Sequence, residues 1–224
     1  MANTYTSDGV ECTKEDVCGV PRKPTRSLLD FFFTPKRDLE ADALILNRVQ
    51  LVGPVPNTPP PRTGTELLFN KPTPTLIYVV RRLGCPFCRA PILKMMQSHR
   101  RKLEKKNVNI IMITSQPNCW EEFLYTSGFE DFCNVTILLD EGETLKKELF
   151  NARKWKAWWL LKPTVLAALV GGLGVKGDSG DITSKTDYLG GEIVIQGDKV
   201  VFVRPESSDF AHAKVSILMK HLAL

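Results

Sequence analysis

Leu76-Ile77-Tyr78-Val79-Val80-Arg81-Arg82-Leu83-Gly84-Cys85-Pro86-Phe87-Cys88-Arg89 is the stretch whose reading decides the fold. Leu76–Arg82 is a continuous apolar, β-rich run, the pattern of a strand buried on both faces. Gly84 permits a turn after it. Cys85 then falls at the N-cap of a helix and Pro86 at its first position, where a missing N–H costs nothing. Cys88 lies one turn further in. A helix N-terminus presents unpaired N–H groups and partial positive charge, which favour a thiolate. Arg82 and Arg89 are the nearby cations expected to lower the thiol pKa further. Two intervening residues bring the sulfurs within reach of a disulfide. The spacing therefore assigns Cys85 as the exposed, attacking thiol and Cys88 as the resolving one.

Working outward, Pro86–Lys106 has helical spacing and ends in basic residues, with Pro91 expected to kink it. Val108–Thr114 (VNIIMIT) and Val135–Asp140 (VTILLD) read as two more buried strands. Asn118–Ser127 and Gly142–Phe150 read as short helices between and after them. Glu192–Gln196 and Lys199–Arg204 are strands joined by Gly197-Asp198, a hairpin signal, and Phe210–Leu222 is a closing helix. Alternating β and α units with continuous apolar strands imply a mainly parallel sheet covered on both faces, ending in a hairpin and a helix.

The N-terminal side differs. Residues 1–27 are polar and aperiodic and read as a mobile arm. Leu28–Phe33 is a short apolar cluster, and residues 38–52 have the spacing of one amphipathic helix. Residues 53–62 contain five prolines, which read as a stiff linker. The expected division is an arm and linker over 1–62 and a redox domain over 63–224.

Composition sets the remaining bounds. Of 224 residues, 43% are hydrophobic and 25% charged, enough for a core of its own; the net charge is +5. The basic residues are scattered, without the aromatic-interleaved stripe of a nucleic-acid surface, so no nucleic-acid partner is expected. The N-terminus lacks a basic start followed by an apolar run, which argues against a secretory signal and for a reducing, cytoplasmic setting. Residues 157–175 are strongly apolar, but Lys162 and Pro163 interrupt them. They read as a buried helix or lid, with membrane-surface contact as the alternative.

The cysteines admit a second chemistry, half of a zinc site. A closed site needs four ligands, and Cys12, Cys18, Cys119 and Cys133 form no second CxxC. Cys119 and Cys133 read as small core residues, with redox partnership as the other possibility. His99 follows Cys85 by fourteen helical residues, about 21 Å, and cannot serve as its base. His212 and His221 fall in the closing helix and read as surface residues.

At these residues the chain resembles the peroxiredoxin-like 2 family of the AhpC/TSA-like branch. The similarity rests on LIYVVRRLGCPFCR (76–89), VNIIMIT (108–114), VTILLD (135–140) and LGGEIVIQGDKVVFVRPES (189–207). It implies an α/β, thioredoxin-like fold: a central mixed sheet flanked by helices, with an N-terminal extension. It also implies thiol redox activity on a peroxide or prostaglandin-type endoperoxide. Electrons would come from thioredoxin or glutathione, with no bound cofactor and no metal. The redox pair carried over is Cys85 and Cys88. Arg204 matches the family's basic residue at the end of the last strand, either to orient a peroxide oxygen, to hold the thiolate, or simply at the surface. The sequence departs from true peroxiredoxins three residues before Cys85, where Arg82 replaces Thr or Ser. No proline lies between Leu76 and Gly84. Gly190-Gly191 stands where thioredoxins place a cis-proline, and the open backbone there is expected to leave room for a bulky substrate. These residues fit a dithiol reductase better than a fast peroxidase. A non-catalytic interaction protein on the same fold is the competing reading.

Overall fold

Isoleucine, valine and leucine can fill consecutive strand positions only where both faces of a sheet are covered. In a computed structural model of the chain, every residue of the strand Thr75–Val79 is buried. The structure describes residues 37–53, 62–69, 71–116, 120, 123–124, 129, 134–151, 162–163, 166, 188–207 and 212–223. In chain order the elements are α1 (Leu39–Arg48), β1 (Gln50–Leu51), β2 (Arg62–Thr63), α2 (Gly64–Leu68), β3 (Thr75–Val79) and α3 (Pro86–Lys105). There follow β4 (Asn109–Thr114), β5 (Val135–Leu139), a π-helical turn (Leu145–Leu149), β6 (Gly191–Gln196), β7 (Lys199–Pro205) and α4 (Val215–His221).

Five strands form one mixed sheet in the order β5-β4-β3-β6-β7. β3 pairs with β4 in parallel, Ile77 opposite Ile111, and β4 with β5 in parallel, Met112 opposite Ile137. On its other side β3 pairs antiparallel with β6, Tyr78 opposite Glu192, and β6 pairs antiparallel with β7, Glu192 opposite Arg204. Gly197 takes φ +61° at the first position of the β6–β7 turn, the left-handed conformation such a hairpin needs.

Alternation along the strands divides the core in two. Leu76, Tyr78, Ile110, Met112 and Val194 pack with Ile92, Met95 and Met96 of α3 and Leu218 and Met219 of α4. Ile77, Val79, Ile111, Ile113, Ile193 and Ile195 pack on the opposite face with Leu46, Leu68, Leu145 and Phe150. Full burial of one such side chain contributes about 1.5–3 kcal/mol. A central mixed sheet with helices on both faces, begun by a parallel β-α-β unit and closed by a hairpin and helix, is the thioredoxin-like fold.

Several boundaries differ from the sequence reading. The compact unit begins at Asp38 rather than at residue 63. The reason is that Leu46, Val49 and Leu51 are buried against the sheet. Asp38 caps α1 by accepting from the Glu40 and Ala41 N–H groups. The helix stops at Arg48, and β1 pairs with β2 across the proline run. The helix expected over 142–150 is a π-helical turn, entered through Glu143 at φ +54°. α3 runs unbroken through Pro91. Residues 1–36, the prolines at 54–61, most of 118–127 and nearly all of 157–175 lie outside the described residues. Among the described residues, no helix is long and apolar enough to cross a membrane.

The expectation of open space at Gly190-Gly191 is corrected. A Cβ on Gly190 would lie 1.9 Å from the Val79 carbonyl oxygen, and one on Gly191 would lie 2.7 Å from the Phe150 ring. The glycines are there because backbone and ring fill the space. Gly190→Ala is expected to cost about 1–3 kcal/mol through overpacking. Chemical denaturation checks this, and an unchanged midpoint would refute it.

Candidate active site

The site is built on the loop between β3 and α3. Arg82 accepts a hydrogen bond from the Cys85 N–H (3.2 Å), closing a turn that delivers Cys85 to the N-cap of α3. Two side chains clamp the loop. The Leu83 N–H donates to Gln116 Oε1 at the end of β4 (3.0 Å), and Arg89 Nε donates to the Leu83 carbonyl (2.6 Å). The Cys88 and Arg89 N–H groups both donate to the Cys85 carbonyl (3.0 Å each), starting the helix.

Arg81 Nη2 donates to Cys85 Sγ at 3.1 Å. The activating cations expected from the sequence are Arg82 and Arg89. The guanidinium on the sulfur belongs to Arg81, while Arg89 turns to the Leu83 carbonyl and lies over the Phe123 ring. The sequence offers three arginines within nine residues of one another, and only the course of the loop selects among them.

Both cysteines are free thiols, and both are buried: Cys85 is 5% exposed and Cys88 1%. The expectation of an exposed Cys85 is therefore corrected. The N-terminus of α3 is packed into the core cluster formed with β3 and β4. The Cys88 thiol hydrogen-bonds to the Cys85 sulfur and is the largest influence holding the Cys85 pKa down, at about 6. Burial opposes this, and Arg81 and the Cys88 backbone N–H add to it. Cys88 is driven well above the ordinary thiol value by the same hydrogen bond, by burial and by the neighbouring Cys85 charge. The pair is thus polarised, with the negative charge on Cys85.

Beyond the sulfurs lie acidic and basic groups that composition and spacing did not reveal. His212 precedes α4 instead of lying in it, and its side chain is 7% exposed, so the surface expectation for it is corrected. Its Nδ1 hydrogen-bonds to Glu192 Oε1, and its Nε2 lies 3.8 Å from Glu206 Oε1. Burial alone would lower the His212 pKa. The Glu192 hydrogen bond and the charges of Glu206, Glu192 and Cys88 outweigh it and raise the value to about 9. The signal for this residue lies in register: Glu192 is a carboxylate on a strand that is buried nearly throughout, so it requires a partner.

Arg204 stands opposite Glu192 on β7, half-buried, and donates to neither sulfur among the described residues. His221 packs on Phe202. Cys12, Cys18, Cys119 and Cys133 lie outside the described residues. Among the described residues, no three His, Cys, Asp or Glu side chains converge as a metal site would require. Just past the end of β4, the buried Lys146 donates to Ser115 Oγ (3.0 Å) and Glu143 Oε1 (3.2 Å).

No protein-family model and no curated protein matches the chain. Solved structures similar to it include a peroxiredoxin-like protein from Aquifex aeolicus (14% identity, 78% of this chain and 81% of that one, TM-score 0.45). Others are a mutant of peroxiredoxin 6 of Arenicola marina (13%, 80% and 71%, 0.49) and the bacterioferritin comigratory protein of Xanthomonas campestris (14%, 84% and 98%, 0.49).

Two outcomes follow from the charges. Arg81→Gln is expected to raise the Cys85 titration midpoint from about 6 toward the ordinary value of 9.0, read from thiolate ultraviolet absorbance. An unmoved midpoint would exclude the guanidinium as a cause. The second concerns stability between pH 6 and 9. The depressed Cys85 value contributes stability present above pH 9 and lost as pH falls through 6. The raised His212 value contributes stability present below 6.5 and lost as pH rises through 9. The two slopes oppose. Cys85→Ser should therefore make unfolding free energy fall with rising pH in this window relative to the parent, and His212→Gln should make it rise. Equal slopes in all three proteins would contradict the assignment.

Proposed function

We propose that this chain is a thiol-dependent oxidoreductase that cycles Cys85 and Cys88 between dithiol and disulfide to reduce a peroxide or endoperoxide-type substrate. The observation that carries the reading is the Arg81 guanidinium donating to a sulfur at a helix N-cap, with a second thiol one turn away. An inert core cysteine has no need of a buried cation.

The cycle balances in three steps. The Cys85 thiolate attacks one oxygen of the O–O bond. With a hydroperoxide that bond breaks, the departing oxygen takes a proton and leaves as an alcohol, and Cys85 becomes a sulfenic acid. With an endoperoxide the attacked oxygen stays on the substrate, so Cys85 carries a sulfenate ester and the other oxygen takes the proton as a tethered hydroxyl. Cys88 attacks the Cys85 sulfur and its proton leaves with the displaced oxygen, as water from the sulfenic acid or as the substrate's second hydroxyl from the ester, forming the disulfide. A thioredoxin-type dithiol or glutathione supplies two electrons and two protons to restore both thiols. Arg81 holds the thiolate before attack. Arg204, on β7 beyond β6, would orient a substrate oxygen.

The burial of both sulfurs favours the second reading, a non-catalytic interaction protein on this fold. One experiment separates the two. Cys85→Ser should abolish peroxide-dependent oxidation of a thioredoxin-type donor. Cys88→Ser should still consume one equivalent of peroxide and stop at a sulfenic acid, detected by mass spectrometry. Unchanged turnover in Cys85→Ser would end the enzymatic reading.

A further inference from the structure

A row of buried charges runs from β6 to the reactive sulfur. Glu192 is fully buried, and its Oε1 accepts from the Ala213 N–H (3.3 Å) as well as contacting His212. His212 faces Glu206, which is 1% exposed. Glu206 is fixed by a reciprocal pair with Gly190: its N–H donates to the Gly190 carbonyl (2.9 Å), and its Oε2 accepts from the Gly190 N–H (3.1 Å). Gly190 in turn lies against the backbone of Val79 and Arg81, and Arg81 reaches Cys85. The signs alternate: carboxylate, imidazolium, carboxylate, guanidinium, thiolate.

This row is not a saturated structural network. Glu192 Oε2, Glu206 Oε1 and His212 Nε2 are all buried without a hydrogen-bond partner among the described residues. Buried carboxylates left partly unsatisfied are costly, and packing alone gives no reason to keep them. A carboxylate is also a stronger hydrogen-bond acceptor for a guanidinium than a thiolate is. The Glu206 charge acts on both Arg81 and Cys85, so what neutralises it bears on where the guanidinium points.

We infer that His212 is a positioning residue for the thiol site: its imidazolium occupies Glu206 and so leaves Arg81 directed at the Cys85 thiolate. The inference rests on the redox reading of the Cys85–Cys88 pair. Among the described residues, the groups that act on Cys85 are Cys88, Arg81 and Glu206. Those acting on His212 are Glu192, Glu206 and Cys88. Tyr78 stands beside Glu192, and Lys146 is close enough to act on Cys88. His212 holds its proton up to about pH 9, so the arrangement is set throughout the neutral range.

The test is thiolate titration of the full chain by ultraviolet absorbance. His212→Gln should raise the Cys85 midpoint by about one pH unit, the scale of an opposite charge nearby. Glu206→Gln should lower it, because that carboxylate works against the thiolate. Adding Glu206→Gln to His212→Gln should restore the midpoint. A merely structural role predicts that both single changes loosen the site and move it the same way; that outcome, or no movement in either, overturns the inference. If His212→Gln does not fold, Glu206→Gln decides alone: a lower midpoint supports the inference, and an equal or higher one overturns it. A parent midpoint at or above 9 would instead overturn the redox reading, which keeps the two failures distinct.

Discussion

A guanidinium that is 5% exposed and aimed at a sulfur is costly unless the sulfur carries charge. Desolvation penalises a lone thiolate and a lone arginine alike, and each is tolerable because of the other. The rest of the site follows from that mutual requirement. β3 must end at Val79 so that Arg81 can turn back toward the helix. The loop must be clamped by Gln116 and Arg89, and α3 must begin at the cysteine itself. The helix N-terminus adds a favourable field. Cys88, whose pKa lies above the ordinary range, completes the polarisation by donating to the sulfur it would later join.

Where the core needs long apolar strands, the sequence was legible. Val108–Thr114 and Val135–Asp140 came within a residue or so of β4 and β5, because an uninterrupted run of Ile, Leu and Val has no other soluble use. The hairpin at Gly197-Asp198 and the helix opening at Pro86 were legible for local reasons, a left-handed turn position and a residue suited to the first helical turn. The N-terminal boundary was not. A proline run looks like a linker in sequence, yet the strands on either side of it pair with each other, and the burial of Leu46, Val49 and Leu51 is a property of the sheet they meet.

The site was half legible. Local spacing supplies the two sulfurs and their helix. It cannot supply Arg81 over Arg82, because one residue of strand length reverses the side to which a side chain points. Nor can it place His212 and Glu206, which lie more than a hundred residues from the cysteines and are brought to them through the antiparallel half of the sheet. Gly190 and Gly191 show the converse error: two glycines read as open space are instead the points where Val79 and Phe150 come too close for any side chain. The burial of both thiols carries a mechanistic consequence as well. A sulfur this shielded meets an outside molecule only through local opening.

The most direct trial of the account is the equilibrium reduction potential of the Cys85–Cys88 pair, set by glutathione buffers and read by trapping thiols for mass analysis. A thiolate held by Arg81 stabilises the reduced form, so the potential should be less negative than about −270 mV, the value typical of thioredoxin. Failure to form the disulfide, or a disulfide resisting glutathione at about −300 mV or below, would contradict it.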